Sequence, residues 1–161
     1  MIKTLHLKNF KCFEEQPLYF GMLTLLSGLN GTGKSSVIQS LLALRQSQET
    51  SFLSEGLALN GNLVRLGRGK DILYADAQNE TIGLNINFDN GLTANWSFRY
   101  EADADVLRLE DGRNPEAATI TEALFTDKFQ YLAAERVGPR VSYAASDYFV
   151  TQRRLGNGGE Y

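Results

Sequence analysis

The chain has 161 residues, a single cysteine and a formal net charge of −3 at pH 7. That length suits one domain with a core of its own, and one cysteine excludes an internal disulfide or zinc framework. The acidic balance excludes nucleic-acid binding through net charge, because counterion release needs a basic surface. Any such role would rest on a local patch or on another chain.

Ile2 to Leu7 interleaves polar and apolar residues and predicts a first strand. The N-terminus offers no uninterrupted apolar segment, so neither a signal peptide nor a membrane span is expected, and a cytoplasmic protein is. Cys12 reads as a small, partly buried hydrophobe. Leu18 to Phe20 predicts the start of a second strand leading into Met22-Leu23-Thr24-Leu25-Leu26, an apolar run suited to a buried strand. Next comes Ser27-Gly28-Leu29-Asn30-Gly31-Thr32-Gly33-Lys34-Ser35-Ser36, which fits G-x-x-x-x-G-K-[ST] from Gly28 to Ser35. Val37, Ile38, Leu41, Leu42 and Arg45 then recur at helical spacing and predict a helix over roughly 34–48. The motif therefore stands between a predicted strand and a predicted helix, the context that its chemistry requires.

Gly28, Gly31 and Gly33 let the backbone bend through conformations that side chains would forbid, which turns successive amide N–H groups toward phosphate oxygens. Those donors lie at the positive end of the helix dipole. Lys34 is placed to bridge the β- and γ-phosphates, and the Ser35 hydroxyl to ligate the magnesium that a triphosphate brings. Residues 28–36 thus read as a nucleoside triphosphate site, with Leu29, Asn30, Thr32 and Ser36 supplying backbone or hydroxyl donors.

Beyond the helix, 57–67 reads as extended segments broken at Asn60-Gly61, a strong turn dipeptide. Ile82, Leu84, Ile86 and Phe88 alternate with polar residues or glycine. Asp89-Asn90-Gly91 turns the chain, and Leu92, Ala94, Trp96, Phe98 and Tyr100 alternate on the return. This predicts a hairpin with one apolar face and Trp96 inward near Ile86, stacking on a base being the alternative role for that ring. Val106 to Leu109 predicts a third strand, Thr121 to Lys128 a short helix, and Phe129 to Ala134 another strand. From Val137 onward the pattern is irregular.

The segment Leu7-Lys8-Asn9-Phe10-Lys11-Cys12-Phe13, followed by a second strand, the loop and an apolar helix, resembles the start of the ABC-type ATPase heads of the RecF, SMC and OLD-nuclease group. Asn30 before Gly31 belongs to the resemblance, since G-x-N-G-x-G-K-S is the usual form of such loops. Residues 60–67 and 131–140 look like bacterial AAA-family ATPases of this group, many of which accompany antiphage defence nucleases. The resemblance implies an α/β P-loop NTPase lobe with an antiparallel β-subdomain, ATP and Mg2+ as ligands, and heads that dimerise around the nucleotide. It further implies nucleotide contact by Lys11 and Phe13, with a nuclease or DNA as a possible partner.

One departure matters. Such heads need an apolar strand ending in Asp-Glu to hold magnesium and polarise water, and a signature glycine motif at a helix start. Ile72-Leu73-Tyr74-Ala75-Asp76 imitates the strand, but Ala77 follows where the glutamate should stand, so Asp76 reads as a loop acid. Residues 155–160 resemble a signature motif only superficially. The chain is therefore expected to be the N-terminal part of one ATPase domain: 1–56 for the loop unit, 57–110 for the β-subdomain and 111–161 for a connection. Two other classes stay open: a small-molecule kinase with Arg136, Arg140, Arg153 and Arg154 as a lid, and a non-catalytic nucleotide-responsive assembly module. A GTPase is disfavoured, because Gly69-Lys70-Asp71 lacks the asparagine and spacing of a guanine-reading segment.

Overall fold

Alternation of apolar and polar residues makes the first strand the middle of a sheet. In the computed structural model, which describes residues 1–110, 117–134 and 151, β1 (Ile2–Phe10) pairs antiparallel with β2 (Phe13–Tyr19) on one side and with β4 (Thr81–Phe88) on the other. β4 continues into β5 (Thr93–Arg99) through the turn at 89–91, giving the order β2-β1-β4-β5. β2 is an edge strand, where Pro17 can lack an N–H without breaking an inner ladder. The register stacks Leu18, Leu5, Ile86 and Ala94 in one row, and Gln16, Leu7, Leu84 and Trp96 in the next. Leu5, Leu7, Leu84, Ile86, Ala94 and Trp96 are all buried, which is the one-sided burial that the period-two pattern predicts.

The helix α1 (Lys34–Glu49) covers part of the core. Its C-terminal half is buried all round, from Leu42 to Ser47, and three of these residues are polar. Each is hydrogen-bonded to backbone of another segment, as burial requires. Arg45 Nη1 donates to the Leu124 and Thr126 carbonyls at 3.0 and 2.7 Å, its Nε to Glu49 Oε1 at 2.8 Å, and its guanidinium lies 5.8 Å from the Phe129 ring centroid. Gln46 donates to the Ala58 carbonyl and accepts from the Val64 amide. Ser47 accepts from the Ala58 amide at 2.8 Å. These bonds knit α1 to β3 (Gly56–Ala58), which pairs with β6 (Val106–Arg108) in a second, two-stranded sheet. The turn after β3 is closed by the Gly61 amide on the Val64 carbonyl.

Several elements differ from expectation. The run Met22–Leu26 forms no strand: Met22, Leu23 and Leu25 are 97, 93 and 86% exposed, and no described strand pairs with them. The second strand instead starts earlier, at Phe13, and ends at Tyr19. Residues 121–128 make 3-10 turns, Ala117–Thr121 and Ala123–Phe125, in place of an α-helix, and 129–134 is irregular. Arg45 accounts for part of this. By taking the carbonyls of Leu124 and Thr126 it occupies acceptors that a continuing helix would use itself. The third strand forms as β6 and pairs with β3; just past its end Leu109 bridges Phe98 and the Glu110 amide bonds to the Ser97 carbonyl of the hairpin at 2.7 Å. Arg136, Arg140, Arg153 and Arg154 of the expected lid and the 155–160 segment lie outside the described residues.

Trp96 is 2% exposed and meets Phe125 edge-to-face at 6.1 Å. Its direct cross-strand partner is Leu84. Trp96→Ala should therefore cost about 3–5 kcal/mol of stability in chemical denaturation. Trp96→Phe should cost much less, because the indole Nε1 has no hydrogen-bond partner among the described residues to lose. Arg45→Ala strands one buried and one part-buried carbonyl and should destabilise by about 2–5 kcal/mol, with proteolytic cleavage near 122–130 appearing at lower denaturant.

Candidate functional site

The three motif glycines all take positive φ: 144° at Gly28, 83° at Gly31 and 92° at Gly33. L side chains adopt such backbone only under strain, so glycine at these positions is a requirement of the loop's path. The consequence is a row of open donors. The amides of residues 28–33 bond to no described residue, and the helix N-cap, Gly33, brings no capping side chain. A helix start whose first N–H groups face outward without a cap is suited to an anion.

Lys34 is the first residue of α1, and its side chain folds back over the loop. Its ammonium donates to the carbonyls of Gly28 at 2.8 Å and Leu29 at 2.5 Å. The Thr32 hydroxyl closes the same turn by donating to Leu29 at 2.9 Å. The charge thus sits against the loop backbone at Gly28 and Leu29. Ser35 is exposed on the first turn of α1 and Ser36 is half-buried. The donor set of open amides, one ammonium and one free hydroxyl fits a polyphosphate with magnesium, and that is the chemistry the motif demands.

The turn between β1 and β2 lies directly against the loop. A Cβ built on Gly33 would come within 2.5 Å of both Cys12 Sγ and Phe13 Cζ. Cys12 is therefore an exposed residue with its sulfur turned toward the loop backbone, and the expectation of a partly buried hydrophobe is corrected. Phe13 is half-buried and packs on the core. Lys11 is half-buried too, and its amide donates to the Ile72 carbonyl at 2.6 Å. Burial pushes its ammonium below the ordinary lysine range, with Asp71 and Cys12 pulling the other way.

The turn's own geometry escapes sequence reasoning. Asn9 and Lys11 both have φ near +50°. Asn9 is buried, with its amide nitrogen bonded to Asn79 Oδ1 and the Thr81 carbonyl. Asparagine tolerates the left-handed region, which is the signal that could have marked Asn9. Asp76 lies exposed in a turn after the 3-10 segment Gly69–Asp71, as a loop acid should. No cluster of three or more metal-ligating side chains occurs among the described residues. A cleft of about 420 Å³ lies elsewhere, between Ile2, Phe20, Phe88, Leu124 and Phe129. It includes no loop residue and takes no part in the phosphate chemistry. No helix among the described residues is long and apolar enough to cross a membrane.

The family model of the AAA ATPase domain matches residues 1–142, and the chain belongs to that family. Membership makes it a nucleotide-binding ATPase domain. No curated protein matches the sequence.

Proposed function

We propose that the chain is an ATP-binding head of ABC type, in which residues 28–36 hold the phosphates and the Ser35 hydroxyl holds Mg2+. The observation that carries this reading is the row of unbonded amides at residues 28–33, under the Lys34 ammonium and at an uncapped helix start. Gly28, Leu29, Asn30, Gly31, Thr32 and Gly33 offer backbone donors. Lys34 supplies the charge and Ser36 a further hydroxyl. Phe13 borders the same loop at Gly33, and Lys11 lies in the same β1–β2 turn.

The head is further proposed to be the N-terminal part of a larger ATPase domain and to pair with a second copy across the nucleotide. Leu29 and Ile38, 81 and 43% exposed on and just behind the loop, would be covered in such a pair. DNA-linked or antiphage work alongside a nuclease is the class of process that the resemblance of residues 60–67 and 131–140 suggests.

Lys34 makes only bonds to exposed loop carbonyls, so its removal leaves the core untouched. Lys34→Ala should keep its melting temperature yet lose most Mg-ATP affinity in calorimetry, and a folded variant that binds ATP as tightly as before would refute the site. Hydrolysis is a separate matter. Binding alone stabilises ground and transition states alike, and no described carboxylate pair is placed to orient water. Single-turnover hydrolysis by the 161-residue chain should fall far below about one per second, the low end of ordinary enzyme turnover. Faster turnover that Lys34→Ala abolishes would reveal a catalytic acid, with Asp76 and Glu135 the first to substitute.

A further inference from the structure

Gly33 is where the loop becomes helix, and its position decides where the first amides of α1 and the Lys34 side chain point. What fixes that position is the turn beneath it. Cys12 and Phe13 approach so closely that not even a methyl group fits between them and the Gly33 backbone, since a Cβ would lie 2.5 Å from a heavy atom of each. The turn is itself held from the far side. The Lys11 amide bonds to the Ile72 carbonyl, Phe10 bridges to Leu73, and the Tyr74 amide bonds to the Asn9 carbonyl. Two of the three non-glycine residues with positive φ among the described residues, Asn9 and Lys11, lie in this turn. Backbone strain of that kind persists where surrounding structure over-determines it.

We propose that Phe13, with Cys12, is a positioning element of the phosphate site: the ring and the thiol form a seat for Gly33 and so hold the loop amides and Lys34 in register. Resting on the reading of residues 28–36 as a phosphate site, it assigns Phe13 a role exerted through Gly33 and not by contact with the nucleotide. Phe13 opens β2 and pairs with Phe10 of β1, one of the two inner strands of the main sheet, so the seat ties the loop to that sheet.

The test compares Mg-ATP affinity with stability in the 161-residue chain. Phe13→Ala should weaken binding about tenfold or more, equivalent to about 1.4 kcal/mol, while remaining folded. Phe13→Leu, which refills the space without an aromatic face, should recover most of the affinity. A folded Phe13→Ala that binds as wild type does would overturn the proposal. So would a Phe13→Leu variant as weak as the alanine one, since that points to direct stacking on the ligand. Cys12 is the chain's single cysteine, so iodoacetamide labels one place. Carbamidomethylated wild type should lose ATP affinity by a similar factor, and labelled protein binding normally would count against the seat. A readout without nucleotide separates this proposal from the functional one. Gly33→Ala forces the seat apart and should raise the alkylation rate of Cys12, whether or not ATP binds. An unchanged rate in a folded Gly33→Ala variant would sink the seat, whereas wild type that fails to bind ATP would sink only the phosphate reading.

Discussion

The absence of a side chain at position 33 is the constraint on which the site depends. Gly33 has to satisfy two demands at once, a φ of 92° and contact with Cys12 and Phe13 closer than any Cβ allows. Either demand alone would favour glycine, and together they leave no other residue. The close contact at Gly33 comes from residues 20 and 21 positions earlier in the sequence.

The far end of α1 is fixed by different physics. Arg45, Gln46 and Ser47 are buried polar side chains on consecutive positions, and so point in different directions around the helix. Each meets backbone from another element: the 124–126 segment for Arg45, β3 and its turn for Gln46, β3 again for Ser47. Apolar residues at these places would allow the helix to slide or rotate. Hydrogen bonds with one geometry each do not, and leaving any of these carbonyls or amides unpaired costs about 1–3 kcal/mol. The helix carrying Lys34 is therefore clamped at both ends, by close packing at the N-terminus and by directed polar bonds at the C-terminus.

What the sequence made legible was periodicity and loop chemistry. Alternation at 82–88 and 92–100 placed the hairpin and turned Trp96 inward, and the glycine spacing of 28–33 anticipated the positive φ values. The pairing partners were not legible. Nothing in Val106 to Leu109 says that it should join β3 in place of the hairpin, because a three-residue strand is specified by what it meets. The role of Arg45 was hidden as well. Its helical spacing with Leu41 and Leu42 marked the buried face, but the carbonyls that let a guanidinium lie there come from residues about 80 positions later.

The run Met22–Leu26 is the sharpest case. Its composition states a burial that the described residues do not provide: a leucine or methionine side chain gains about 1.5–3 kcal/mol on leaving water, and Met22, Leu23 and Leu25 stay almost wholly exposed. A hydrophobic pattern records the surroundings for which a segment is suited, whereas strand geometry needs a neighbour to take its N–H and C=O groups. With no described neighbour, the apolar character remains while the strand does not form. The segment runs directly into Ser27 and Gly28, so any surface that covered it would also border the phosphate loop. The apolar demand of 22–26 and the anionic demand of 28–36 thus adjoin along the chain, two unlike requirements set side by side in one stretch of sequence.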